Sequence, residues 1–555
     1  MQQEVNKITD WATEWKMSIN VDKTKCMVIS SSYQDQQWNP QLEANGKAIE
    51  PVKVYPFLGN TINNNLRFKD HVNKVVTKCT KRNKILKCMA TKDWGNSQET
   101  QTKLYIQYNR TALEYGSSSW HTWIGKSNMS RLQRVQNEAL RTAAGLAKTC
   151  PTEFLHAETG VEPLKDRLQK NDMVTYDRYL RQDEQDPRRK LVEKEVTPRL
   201  KTRLGWRNTT KPLMEEFKHL NRAPRPKPLP PWSTAGIEFE RVDLEDKKSM
   251  YSEIELREKA VKKITELEAE NILYTDGSTD GNQERGGAGL FVTDKYNQEI
   301  HQAQFPAGKL CSSFQAECIA MAKALEWINN NPTIGMNLIV TDSMSMWQAL
   351  QTNNWKDDDY HLHQIKSKVR ALDSKITLLW VPSHCNIEGN ERADKLADQG
   401  TKEPQEEVPL SKMIMKARIR RKKWITTHHR VRKIYKEGRK PKIELERKWP
   451  RKVRSAYNRL RTGHAKQLAY YRYLIEKEDS PECQQCGNGE ETTEHLVCHC
   501  EQLQSTRERL LIHNPTPDWL VKEPDKCRRL LSERFPELLL NEEKLENKAN
   551  PNMRC

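Results

Sequence analysis

Four acidic residues between Asn271 and about Thr401, namely Asp276, Glu317, Asp342 and Asp394, have the residue type and setting that metal-assisted phosphodiester hydrolysis requires. Hard divalent cations such as Mg²⁺ take oxygen ligands. Two of them about 3.5–4 Å apart can stabilise both the attacking and the leaving oxygen of an in-line phosphoryl displacement. A second group has a different chemistry: Cys483-x2-Cys486-x8-His495-x4-Cys500. Three thiolates and an imidazole close a tetrahedral structural zinc site and leave no position for water. Cys498 and His499 lie near enough in sequence to compete for that role.

The carboxylates must be carried by particular elements. Ile272-Leu273-Tyr274-Thr275 is an apolar run that ends in Asp276, which puts this carboxylate on a strand. Arg285–Val292 reads as a second strand with flexible glycines, and Ile300–Phe305 alternates as a third. Ser312 and Gln315 have capping-box spacing ahead of Ala316, Ile319, Ala320, Ala324, Trp327 and Ile328, so Glu317 falls in the first turns of a helix. Met336–Thr341 reads as a short buried strand that runs straight into Asp342, and Ile376–Val381 as a fifth strand. The latter leads through Pro382-Ser383-His384 and a Gly-containing turn to a helix beginning near Asn390, which carries Asp394. Singly, an Asp-Gly after a strand is an ordinary turn and a Glu on a helix is ordinarily solvated. The ordered set within one βββαβαβα pattern is what points to a site.

The motifs "YTDGS", "FQAE", "VTDS" and "VPSHCNIEGNERADKLA" in residues 269–401 resemble ribonuclease H. The resemblance implies an α/β fold with a mixed five-stranded sheet and flanking helices. It also implies that Asp276 bridges two metal ions, that Glu317 and Asp342 hold the second metal, and that Asp394 holds the metal that activates water. His384 matches a loop histidine linked to proton handling or product release, and Ser278 and Asn390 are expected to meet nucleic acid. The implied cofactor is a pair of Mg²⁺ ions, with Mn²⁺ as a substitute. The implied substrate is the RNA strand of an RNA–DNA hybrid, which the 2′-hydroxyl distinguishes.

At 555 residues the chain has room for several domains, and 93 Lys and Arg against 75 Asp and Glu give a net charge of +18, which points to a polyanionic partner. No apolar run has membrane-spanning length, and Met1-Gln2-Gln3-Glu4-Val5 lacks a signal-peptide pattern. The expectation is an intracellular protein of the nucleus or cytoplasm, neither secreted nor membrane-bound. Thirteen cysteines, mostly scattered singly, argue against a disulfide framework.

Outside 269–401, residues 1–65 read as a helix with Val5, Ile8, Ala12 and Trp15 on one face, a strand at Lys25–Ile29, and a hairpin at Asn45-Gly46. "WATEWKMSINVDKTKCMVIS" and "YPFLGNTI" resemble the end of the reverse-transcriptase palm of insect-type non-LTR retrotransposons. The paired aspartates of that polymerase would precede residue 1, so no polymerase activity is expected of this chain alone. Residues 66–205 read as helical, with Leu132, Val135, Ala139, Leu140 and Ala143 on one face and Gly145 as a stop. This thumb-like region serves either packing or the gripping of a template duplex.

Residues 206–268 read as a Pro-rich linker, with Ala223–Pro231 a polyproline spacer, followed by a helix. Residues 402–475 form a basic helical segment in which Arg420, Arg421, Lys422, Lys423 and Trp424 are candidates for contact with RNA or DNA. The bland reading there is a charged amphipathic helix whose aromatics face a core. Residues 476–515 resemble the zinc knuckle of the same retroelements, and 516–555 read as short helices and a polar tail. The chain as a whole resembles the C-terminal portion of a retrotransposon polyprotein, whose other products are further expected partners. Two functions compete: a Mg²⁺-dependent ribonuclease H, and a non-catalytic nucleic-acid-binding remnant.

Overall fold

The computed structural model describes residues 1–30, 32–91, 95–194, 205–227, 236–246, 248–281, 284–352, 359–422, 429–436 and 444–540. They form two compact units. The described residues of Met1–Asp172, Pro198–Thr209 and Lys423–Cys555 make one, and those of Met173–Thr197 and Thr210–Lys422 make the other.

The second unit is built on a mixed sheet of six strands, one more than the sequence predicts. Its strands are β1 (Ile237–Arg241), β2 (Asn271–Thr279), β3 (Arg285–Asp294), β4 (Glu299–Lys309), β5 (Asn337–Thr341) and β6 (Ile376–Trp380), in the order β4-β3-β2-β5-β6-β1. β4, β3 and β2 pair antiparallel; β2, β5, β6 and β1 pair parallel. The added strand β1 lies where the sequence suggests only linker. Ile237-Glu-Phe-Glu-Arg is too short and acidic to stand out, and its strand character comes from register with Ile376–Trp380 at the sheet edge.

The helices that pack on the sheet are α1 (Glu253–Glu266), α2 (Ser313–Asn330), α3 (Met344–Gln351), α4 (Tyr360–Arg370) and α5 (Glu388–Gly400). Alternation along the strands divides two cores. Leu273, Ile339 and Leu378 pack with α2, α3 and α4 through Met321, Trp347 and Ile365. Ile272, Tyr274, Leu338, Val340 and Leu379 pack with α1 and α5 through Ala260, Ile264, Ala393 and Leu396. Helix α1 starts with a complete capping box between Ser252 and Glu255.

The expected polyproline spacer is partly structural: Ala223 is buried, its N–H donates to Leu410 O at 3.1 Å, and Arg225 N–H donates to Arg181 O at 2.8 Å. Residues 228–235 of that stretch lie outside the described residues.

The first unit begins with helix Gln2–Glu14 and small strand pairs. The predicted strand near residue 25 is only Lys25–Cys26, paired parallel with Glu50–Pro51. The Asn45-Gly46 hairpin forms with both residues at positive φ, 51° and 70°, as a type I′ turn requires. Of the expected apolar face on the first helix, Ala12 is buried while Ile8 and Trp15 are exposed. Leu132, Val135, Ala139, Leu140 and Ala143 are all buried on helix Lys126–Ala144, which stops at Gly145 in the left-handed region.

Residues 402–475 are not one segment. Helix Lys412–Lys422 belongs to the second unit, while Val431 and Tyr435 are buried in the first with Leu140, Leu155 and Leu164. The C-terminal boundary also moves. Leu520, Cys527, Leu530, Leu531, Phe535 and Leu538 share one core with Trp449, Tyr457, Leu468, Cys483, Leu496 and Cys500. Residues 519–538 are therefore part of a packed module, not of a tail, because two short helices, Trp519–Lys522 and Pro524–Ser532, bury one face each.

Candidate active site and structural metal centre

Period two puts Asp276 on the face of β2 that also carries Ile272 and Tyr274, and turns Gly277 toward α2. The approach of α2 is close: a Cβ on Gly277 would lie 2.2 Å from Glu317 N and 2.5 Å from Ala316 C. No side chain fits there. Gly289 does the same for α5, since a Cβ would lie 2.0 Å from Ala393 O. These glycines, legible in the sequence only as flexible, are the close-packing points that bring the residues next to Glu317 and Asp394 against the sheet. Ser312 caps α2, its Oγ accepting from Gln315 N–H at 3.2 Å, but the buried Gln315 amide makes no reciprocal bond.

Carboxylate oxygens of Asp276, Glu317 and Asp342 come within 4.8 Å of one another. Asp276 and Glu317 are buried, and Asp342 is half-buried. Asp394, exposed on α5, hydrogen-bonds the Asp276 carboxyl. Burial, then the Asp342 charge and Asp394, raise Asp276 from the ordinary 3.8 to about 8. Burial, then Asp276, Asp342 and Asp394, hold Glu317 well above the usual carboxylate range. Asp342 is also raised, first by burial, and this is offset by His384, Lys248 and a hydrogen bond from Asn390.

Glu317 Oε2 is buried without a hydrogen-bond partner. Crowded carboxylates and an orphaned oxygen are what a divalent cation would neutralise and complete, so the donor set fits a hard metal ion.

Asn390 is buried against Asp342, with Oδ1 left without a partner, and Ser278 Oγ donates to Asp398 Oδ1 at 2.5 Å. His384 is exposed on the β6–α5 loop and, like Asn386, sits at positive φ (53° and 55°). Lys248 anchors that loop, its Nζ donating to Ser383 O at 2.6 Å and Ser383 Oγ at 2.8 Å. Sequence reasoning missed Lys248, because nothing local connects it to a loop 135 residues later. Arg420 and Arg421 are exposed at the end of helix Lys412–Lys422, whereas Lys423 and Trp424 and the Lys422 side chain lie outside the described residues.

In the first unit the ligand atoms of Cys483, Cys486, His495 and Cys500 lie within 4.8 Å of one another, and Cys498 and His499 are not in the set. The two pairs are close: Cys486 Sγ to His495 Nε2 is 3.3 Å and Cys483 Sγ to Cys500 Sγ is 4.0 Å. Thr492 Oγ1 caps the helix Thr493–Cys498 by accepting from His495 N–H at 3.0 Å, and Cys500 N–H folds back to His495 O at 2.8 Å. Burial, then His499, lower His495, which favours the neutral imidazole that a metal needs. Buried Glu491 fastens the loop of Cys483 and Cys486 to its module, accepting from Gln484 N–H at 2.9 Å and Ala469 N–H at 3.2 Å.

The family model for RNase H matches residues 268–402. Ribonuclease H of Hyphomonas neptunium is 30% identical over 141 residues, which is 24% of this chain and 91% of that protein. The "Probable RNA-directed DNA polymerase from transposon BS" of Drosophila melanogaster is 22% identical over 212 residues, 38% of this chain but 23% of that protein. RNase H1 of Halobacterium salinarum NRC-1 is 22% identical in a superposition covering 24% of this chain and 98% of that one, with a TM-score of 0.21. Among the described residues no helix is long and apolar enough to cross a membrane. Through the segment that holds Asp276, Glu317, Asp342 and Asp394, the chain belongs to the ribonuclease H family.

Proposed function

We propose that this chain hydrolyses the RNA strand of RNA–DNA hybrids, within a protein of retrotransposon origin. The observation that carries this reading is the meeting of Asp276, Glu317 and Asp342 within 4.8 Å, with Asp394 on the Asp276 carboxyl. A 30% identity to a ribonuclease H over a span covering 91% of that enzyme supports it.

In this reading Asp276, Glu317, Asp342 and Asp394 hold two Mg²⁺ ions, for which Mn²⁺ can substitute. When bound, these ions supply electrostatic stabilisation of the attacking and leaving oxygens of the displaced phosphoryl group. The chain's own residues do the rest. Asn390 and Lys248 favour the ionised form of Asp342, which readies it as a ligand. His384, exposed on an anchored loop, receives or returns a proton at the leaving side or helps product depart. Ser278 and Asn390 line the approach of the nucleic acid. In the other unit, Cys483, Cys486, His495 and Cys500 hold a structural Zn²⁺, a closed donor set that leaves no open position for chemistry. Retrotransposon origin rests on the Drosophila transposon match and on the order of the sequence motifs.

The test is a hybrid with a labelled RNA strand, beside single-stranded RNA and duplex RNA, in Mg²⁺ and in chelator. Metal-dependent cutting confined to the hybrid's RNA strand is expected. Absence of cutting by folded protein would leave a nucleic-acid-binding remnant as the function.

A further inference from the structure

The first unit contains a groove of about 780 Å³ between helices Lys69–Cys88, Lys126–Ala144 and Arg451–Arg461, and its walls are basic. The three helices supply the charge unequally. Lys69–Cys88 contributes Lys87 to the lining, Lys126–Ala144 contributes Arg134, Glu138 and Arg141, and Arg451–Arg461 contributes Arg451, Lys452 and Arg459, with Lys148 and Glu537 completing the charged lining.

Gly145 makes the groove compact. It ends helix Lys126–Ala144 at φ +68°, and a Cβ there would lie 2.3 Å from Ser455 Oγ, so the helix bearing Ser455 packs straight onto it. Arg451 donates to Thr142 O at 2.5 Å and Asn96 O at 2.9 Å, and Arg459 Nε donates to Gly145 O at 2.7 Å. These neutral carbonyls orient the guanidiniums without neutralising them. Burial, then Arg454 and Arg459, hold Arg451 below the usual arginine range, as expected where cations are crowded together. On the opposite wall, Glu138 is engaged by Lys87 at 2.6 Å. Arg134, Lys148 and Lys452 are exposed, and Arg141 Nε is buried with no hydrogen-bond partner.

We propose that this groove is a second nucleic-acid site, separate from the carboxylate cluster, that grips a phosphodiester backbone through Arg134, Arg141, Lys148 and Lys452. A cleft whose lining is predominantly of one sign, here seven cationic side chains against Glu138 and Glu537, focuses potential onto a polyanion. Phosphate oxygens accept from guanidinium and ammonium groups, and such contacts fix register without reading sequence. The site does not depend on catalysis by the other unit.

The experiment is binding of fluorescein-labelled DNA, RNA and RNA–DNA hybrid to the full chain in chelator, so that cleavage plays no part. Arg134→Gln/Lys148→Gln/Lys452→Gln is compared with Lys259→Gln/Lys262→Gln/Lys295→Gln, which removes equal charge from the nuclease unit. If three phosphate contacts are lost, the groove variant binds at least about tenfold more weakly at moderate salt. Its slope of log affinity against log salt becomes shallower by about 2 for single strands, at 0.7 per contact. The control variant keeps affinity and slope, and hybrid cleavage in Mg²⁺ at saturating substrate is unchanged. Equal losses in the two variants, or no loss in the groove variant, overturn the proposal. If the triple variant melts early, the exposed Lys148→Gln alone must still reduce the slope by roughly 0.7, and an unchanged slope again overturns it.

Discussion

Among the described residues two clusters could hold a metal ion, and they are built on opposite principles. The carboxylate cluster gathers residues up to 118 positions apart, Asp276 to Asp394, at strand ends and helix turns of a sheet that folds for its own reasons. The thiol cluster gathers four residues within an 18-residue stretch, and two of its cysteines are themselves core. In the first, carboxyl groups are forced together and one oxygen has no partner among the described residues; in the second, a hydrogen-bonded loop closes around its donors. A site that must act on substrate is left electrostatically unfinished by the fold. A site that must only hold is finished by its own loop.

The sharpest way to break this comparison is to deny the second cluster the ion proposed for it. Structural zinc contributes ~10–16 kcal/mol to small zinc-binding peptides near neutral pH. Cys483→Ser, or a strong chelator, is therefore expected to abolish cooperative melting of the module spanning Trp449 to Leu538, followed by circular dichroism or hydrogen exchange. An unaffected melt would show that this core stands without metal. The carboxylate cluster predicts the reverse: in chelator its loss should stabilise.

Asp276→Asn keeps the shape but removes one of the crowded charges. Hybrid cleavage is expected to fall by at least about 10²–10³-fold, the scale for losing one preorganised electrostatic contact. In chelator above about pH 8, where Asp276 is ionised, the same variant should melt higher by a few degrees, roughly 2–4 °C for each kcal/mol of repulsion removed. A variant that loses activity and stability together would mean that Asp276 is an ordinary structural carboxylate.

How far these differences were legible in the sequence follows from their construction. The Cys-x2-Cys-x8-His-x4-Cys spacing and the carboxylates at the ends of apolar runs are local patterns, and the structure clusters the four donors of the first and three of the four carboxylates, Asp276, Glu317 and Asp342. What remained hidden is non-local. Strand Ile237–Arg241 acquires its identity from Ile376–Trp380, and the closeness that Gly277 and Gly289 permit depends on helices arriving from elsewhere. In the basic segment 402–475, where aromatics could meet nucleic acid or face a core, Tyr435 faces the core: its ring is buried and its hydroxyl donates to Glu158. Glu158 also meets Arg461 at 2.6 Å in a fully buried ion pair that Glu446 extends at 2.7 Å. Composition alone could not separate such interior cations from those that face solvent.

A smaller effect tests whether the acidic site is electrostatically unfinished. Folded Asp276 keeps its proton to about pH 8, whereas the ordinary value is 3.8. Between those values the folded state binds more protons than the unfolded state, so in chelator stability falls as pH rises. Divalent cations need the ionised carboxylates, so the gain in melting temperature on adding Mg²⁺ should grow from about pH 6 to about pH 8.5. A gain independent of pH would place the ion elsewhere.

The smallest expected effect concerns the loop beside the acidic site, which has no counterpart in the thiol cluster. His384 and Asn386 both hold a left-handed backbone that non-glycine residues adopt at some cost. Such a conformation persists only when its surroundings determine it, and Lys248, with two hydrogen bonds to Ser383, is the anchor that reaches the loop from before α1. Lys248 also favours ionised Asp342. Lys248→Met removes both influences without touching a ligand carboxylate. With hydrogen bonds of this kind contributing ~0.5–1.5 kcal/mol each, turnover should fall by about two- to tenfold. If Lys248 acts by holding His384, combining Lys248→Met with His384→Ala should cost little more than His384→Ala alone, as expected for residues that work through one another. Fully multiplicative losses would instead mean that Lys248 acts through Asp342, and the pH dependence of Mg²⁺ stabilisation in the single variant would shift accordingly.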